Sequence, residues 1–130
     1  MRVALLCLFI AILCFILLIE VNSCAAQDKL LRCIWIQYDN PVDAENVDYY
    51  VLYKWSGDTS SVFHVDSLVL VDTVAQMVTV NEFERSTYFP MNKWIRAALV
   101  AHDDLGRKSD YAFTRFYAPP EDPKEIRIEQ

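Results

Sequence analysis

Basic charge, histidine, glycine and paired cysteine are all scarce in this chain of 130 residues, and each shortage closes off a class of function. Against 18 Asp and Glu there are only 12 Lys and Arg, and the net charge of -6 repels a polyanion, which excludes a nucleic-acid binder resting on phosphate contacts. His64 and His102 are the only histidines and no CxxC occurs, so no zinc-ligand spacing is present. Nor is there a GxSxG nucleophile motif. With two glycines and 54% apolar residues, the chain has room for one domain and little else. What it has in abundance is aromatic mass. Seven Phe, seven Tyr and three Trp are more than a chain without a core carries, which excludes a disordered tail protein.

The apolar residues are unevenly spread. Val3 to Ile19 is an unbroken apolar run behind the single charge of Arg2, and it stops at Glu20. That is a secretory signature, read as a signal peptide over residues 1–26. Its length also meets the lower limit of a membrane span, so a retained anchor is the alternative. Arg2 before the run and Glu20 and Asp28 after it orient the body outward, which places the domain outside the cytoplasm, secreted or held at the outer face of a membrane. Small residues around Ala25 and Ala26 offer cleavage sites, while Val21, Asn22, Ser23 and Cys24 resemble a bacterial lipobox, in which Cys24 would be lipidated. Membrane contact is expected only through this segment or a lipid on Cys24.

Setting the leader aside leaves about 104 residues that are about 46% apolar, an ordinary globular content. Arg2 and Glu20 cancel, so the acidity belongs to the domain. Cys7 and Cys14 depart with the leader and no disulfide framework remains. Cys33 either pairs with Cys24 in an oxidising compartment or sits as a small residue in the core.

The mature region reads as β throughout, in short runs of Val, Ile, Tyr, Phe, Trp and Thr bounded by Asp, Asn, Ser, Pro and Gly. Leu31, Cys33 and Trp35 share one strand face. Tyr49, Val51 and Tyr53 share a second, ending at Gly57. Val62 to Val74 holds one or two strands, Met77, Val78 and Val80 another, and Ile95, Ala97, Leu99 and Ala101 a further core-facing stripe. Tyr111 to Tyr117 closes the domain. About seven strands without helices between them imply an antiparallel two-sheet β-sandwich over residues 27–118. Residues 119–130, with Pro119, Pro120 and Pro123 among four acids, read as an extended solvated tail.

Leu99, Ala101, Asp103, Gly106 and Ser109 fall in the register of V-x-A-x-D-x-x-G-x-x-S, and this stretch resembles the F strand, FG turn and start of G in fibronectin type III domains. Gly106 suits a turn that needs positive φ. Leu31-x-Cys33-x-Trp35 resembles the family's B strand, and Tyr49, Val51 and Tyr53 its C strand. The resemblance implies a rigid sandwich displaying loops for protein or glycan contact. In place of the family's corner tyrosine stands Ile95, and Phe83 to Lys93 is long for the E to F connection. Another immunoglobulin-like sandwich is the alternative.

No catalytic group assembles from these residues. His102 and Asp103 are strand neighbours and point to opposite faces, while His64 and Asp66 share a face without a third partner. No cofactor is expected. Asp39, Asp43, Glu45 and Asp48 in one loop, with Asp103 and Asp104 in another, make an acidic pole; Asp43, Glu45, Asp103 and Asp104 are calcium candidates, and the alternative is ordinary solvated turn residues. Tyr88, Phe89 and Trp94 read as an exposed aromatic patch near the opposite pole for a glycan or protein, the alternative being that Trp94 covers the end of the sandwich. The reading is an exported, non-enzymatic binding or adhesion module, monomeric, with protein or glycan as partner and no nucleic acid. The alternative is an accessory subunit that assembles through an edge strand.

Overall fold

The computed structural model describes residues 28–36, 47–77, 79–119 and 121–129, together with positions 3–5, 7, 8, 10 and 12 of the amino-terminal segment, which are helical. Among the described residues no helix is long and apolar enough to cross a membrane. Cys24, the cleavage region, Asp39, Asp43 and Glu45 lie outside the described residues.

Among the described residues seven strands make two sheets: β1 (Asp28–Ile36), β2 (Val47–Gly57), β3 (Val69–Ala75), β4 (Glu82–Pro90), β5 (Trp94–Asp103), β6 (Ala112–Phe113) and β7 (Glu125–Ile128). One sheet has the order β4-β1-β7 and the other β3-β2-β5-β6. They pack face to face as a β-sandwich. Between them lie Leu31, Cys33 and Trp35 of β1, Tyr50 and Leu52 of β2, Phe83 and Phe89 of β4, and Ile95, Ala97, Leu99 and Ala101 of β5. The rings of Trp35 and Phe83 stack at 5.8 Å, and Tyr50 meets Trp35 edge-on at 6.0 Å. Burial pushes the Cys33 thiol up to about 12, against a smaller lowering by Lys54, so it is protonated and inert at neutral pH.

Three elements differ from the sequence reading. First, β2 faces the core with Tyr50 and Leu52, not with Tyr49, Val51 and Tyr53, which take the opposite face. Both alternating sets are apolar, and Lys54 made the inner set look solvent-facing. Lys54 instead crosses between the sheets, its ammonium donating to Thr87 Oγ1 at 3.2 Å and to the Tyr88 carbonyl at 2.9 Å. Its stem is apolar, so the charge reaches the rim while the methylenes stay inside.

Second, the strands between Gly57 and Lys93 shift. Ser60–Val62 and Val65–Ser67 are 3-10 turns, the first capped by Thr59. His64 precedes the second without a side-chain cap hydrogen bond and Asp66 lies within it, so His64 and Asp66 do not share a strand face. No strand holds Met77 or Val80, where Val80 N–H donates to the Met77 carbonyl, and Val78 lies outside the described residues; the strand runs instead from Glu82 to Pro90, through the stretch that looked like a long connection. Glu82, Glu84 and Arg85 hid it: the glutamates lie on its outer side, as edge strands favour, while Arg85, opposite Cys33, shares the side of Phe83 and Phe89 and reaches across to Asp72 of the other sheet.

Third, the solvated tail is in part a strand. β7 pairs parallel with β1, Arg32 opposite Glu125 and Trp35 opposite Ile128, and buries Ile126 and Ile128 in the core. Glu129 then bridges to Phe113 of the other sheet, closing that side of the sandwich. Glu-Ile-Arg-Ile is a four-residue alternation with a clear inner face, and the surrounding prolines and acids masked it.

Candidate functional site

The outer face of the β3-β2-β5-β6 sheet is built in register rows. Ala75, Tyr49 and His102 form one row; Thr73, Val51 and Val100 the next; Leu70, Tyr53, Ala98 and Phe113 the third; Trp55 and Arg96 the fourth. Small residues fill the centre of the strands. Ala98, Val100 and Val51 are buried although they face outward, because the large rings around them fold over the sheet. Those rings form a continuous chain: Trp94 meets Phe116, Phe116 meets Trp55 and Phe63, Phe63 meets Phe113, Phe113 stacks on Tyr111, and Tyr111 meets Tyr53 at 6.0 Å. Tyr49 stacks on His102 at 4.7 Å. Apart from Trp55, which is buried, the rings are half-buried.

At the heart of the chain lies Arg96. Its guanidinium carbon is 4.1 Å from the Phe113 ring centre, 4.3 Å from Phe116 and 5.0 Å from Phe63, and its Nε donates to the Thr114 carbonyl at 2.9 Å. Desolvation lowers its pKa, yet an arginine stays charged, and the ring faces supply the compensating negative potential. None of the side chains in those rows is acidic. Two carboxylates beside the face are held in ion pairs, Asp72 with Arg85 at 2.8 Å and Asp103 with Arg107 at 2.5 Å. Exposed aliphatics extend the face at the β3 end, with Leu70 60% exposed and Val62 and Val65 on the preceding turns.

The β5–β6 turn is committed to its own geometry. Gly106 has φ +81, the left-handed region that favours glycine. Asp103 Oδ1 accepts from the Leu105 and Arg107 backbone N–H groups and Oδ2 from Arg107 Nε. Partial burial raises the Asp103 pKa, but the Arg107 backbone and side-chain bonds outweigh it and hold the carboxyl below its ordinary range. Of the calcium candidates, Asp43 and Glu45 lie outside the described residues, Asp103 serves the turn and Asp104 is exposed. Among the described residues no three His, Cys, Asp or Glu side chains group as metal ligands.

The aromatic patch read from the sequence does not assemble. Phe89 is in the core, Tyr88 is exposed on the other sheet, and Trp94 belongs to the ring chain. Arg96, Phe63, Phe113, Phe116 and Leu70 were not singled out. The signal for Arg96 was present, a cation on the outward set of a strand whose inward set is Ile95, Ala97 and Leu99.

The free edges of both sheets are blunted. β3 carries a bulge at Val71, and the Asp72 side chain accepts from the Thr73 N–H at 2.8 Å. β4 ends in Pro90 and carries Glu82, Glu84 and Arg85. Bulges, charge and proline are the usual devices against edge pairing. Compared with protein-family models, curated proteins and solved structures, the chain finds no match.

Proposed function

We propose that this chain is an exported, non-enzymatic binding module of the fibronectin type III kind, whose contact surface is the outer face of the four-stranded sheet. What carries the reading is an acid-free, aromatic and aliphatic face on a chain of net charge -6. Tyr, Trp and Arg are the residues that anchor protein interfaces. Protein fits this face better than glycan, because its rows hold no carboxylate or amide side chain to grip sugar hydroxyls. Support for the family is the partition of strands: β1 and β4, in the places of B and E, share one sheet, and β2, β5 and β6, in the places of C, F and G, share the other. The departure is β7, which stands beside β1 where an amino-terminal strand would. The blunted edges favour this face over assembly through an edge strand.

The test is capture of extracytoplasmic proteins by the immobilised chain. The double variant Tyr53→Ser with Leu70→Ser should abolish capture, and Leu30→Ser on the opposite sheet should leave it intact; equal capture by the two variants would dismiss the face. Intact mass of the exported chain checks the leader: a start after Ala26 means secretion, a start at an acylated Cys24 a lipoprotein, full length an anchor.

A further inference from the structure

Among the described residues, charge is distributed so that one broad face can meet its own copy without apposing carboxylates. The outer face of the β4-β1-β7 sheet carries Glu82, Glu84 and Glu125 with Arg32 and Arg127, and the turns carry Asp104, Asp110 and Asp66. Two copies meeting through any of these surfaces would stack carboxylates on carboxylates or break paired ions. The rows from Ala75 to Trp55 hold none, and their one desolvated cation, Arg96, is already sandwiched between rings. A basic foreign partner would be drawn to the acidic surfaces instead, since nothing acidic in these rows attracts it.

We propose that the outer face of the four-stranded sheet binds a second copy of this chain, sheet face against sheet face, as a weak reversible dimer. This rests on the reading of that face as the contact surface. The contact is isologous: the accessible parts of Tyr53, Tyr111 and Leu70 of each copy pack against the same side chains of the other, above the already buried Ala98 and Val100. Such a contact closes after two copies and needs no free strand edge. Its size sets its strength. Four strands about 4.8 Å apart and roughly eight residues at about 3.3 Å each give on the order of 500 Å² per copy. About 1,000 Å² in total lies below the roughly 1,600 Å² of a standard stable interface. The dimer therefore forms where the chain is concentrated and dissociates on dilution.

Sedimentation equilibrium of the exported chain, in mild detergent if it stays membrane-bound, tests this over a concentration series. The expected result is a monomer–dimer equilibrium that tightens as salt rises, because salt screens the mutual repulsion of two chains of net charge -6. Leu70→Arg should weaken it at least about tenfold. Leu30→Arg, at an exposed site on the outer face of the other sheet, should not change it. Leu70 is exposed, so its variant keeps the fold, which circular dichroism checks; Tyr53→Ser is the second face variant. A monomer at every concentration up to about 1 mM, or a dimer indifferent to both face variants, overturns the proposal. A monomer whose face variants still lose capture of another protein removes the second copy and leaves the face reading standing. A monomer with unaltered capture removes both.

Discussion

The two outer faces of the sandwich present the same problem solved in opposite ways. Each has a strand whose outward residues are partly apolar: Val51 and Val100 on the larger sheet, Ile34 on the smaller. On the larger sheet the rows on either side of them carry rings, Tyr49 and His102 on one and Tyr53 and Phe113 on the other, and the aromatic chain continues from there to Arg96. On the smaller one, Ile34 is 1% exposed beneath an ionic lattice: Arg32 with Glu84 at 3.3 Å and Glu125 at 3.0 Å, Arg127 with Glu82 at 3.2 Å and Glu125 at 3.5 Å. The long stems of Arg32 and Arg127 do the covering and their charges stay in water. An ionic roof keeps a face solvated and disfavours contact, whereas an aromatic roof leaves apolar area for a partner.

The aromatic roof depends on one residue more than the ionic roof does on any. Arg96→Leu removes three cation–ring contacts and leaves the Thr114 carbonyl without its side-chain donor, and it should cost about 2 kcal/mol in urea unfolding. A loss as small as that of a surface substitution would show that the rings hold themselves. Arg127→Leu, which breaks two exposed pairs, should cost less than about 1 kcal/mol, and the cost should shrink further in high salt. A larger, salt-independent loss would mean that the lattice carries the sheet. The smallest effect is that of acid. The hydrogen bond from Arg32 holds the Glu125 carboxyl below its ordinary range. A depressed folded-state value contributes stability above the unfolded value of about 4.3, lost as pH falls through the folded one. Glu125→Gln should therefore lower the melting temperature slightly at neutral pH, and the gap to the parent should close below about pH 4. The Arg96 deficit should not change over that range.

The elements that were legible in the sequence are those with one unambiguous apolar face. In β5, Ile95, Ala97, Leu99 and Ala101 alternate with Arg96 and His102, and they line the core. β1 reads in the same way because Arg32 marks its outer side. In β2 the pattern was silent, since Tyr49, Val51 and Tyr53 are as apolar as Tyr50 and Leu52, and a one-residue change of phase exchanges the faces. For the same reason the candidate face was invisible as a surface. Its residues come from β2, β3, β5, β6 and the turn holding Phe63, and only sheet pairing brings them into rows.

By itself the sequence determined an all-β chain in two sheets and the glycine at the β5–β6 turn, because strand periodicity and positive φ are local matters. Tertiary structure decided which face of β2 turns inward, that the Ile126 and Ile128 segment crosses the molecule to lie beside β1, and that Arg96 is roofed by rings from Phe63, Phe113 and Phe116. Those choices depend on what lies across the sheet or between the sheets, which local alternation does not encode.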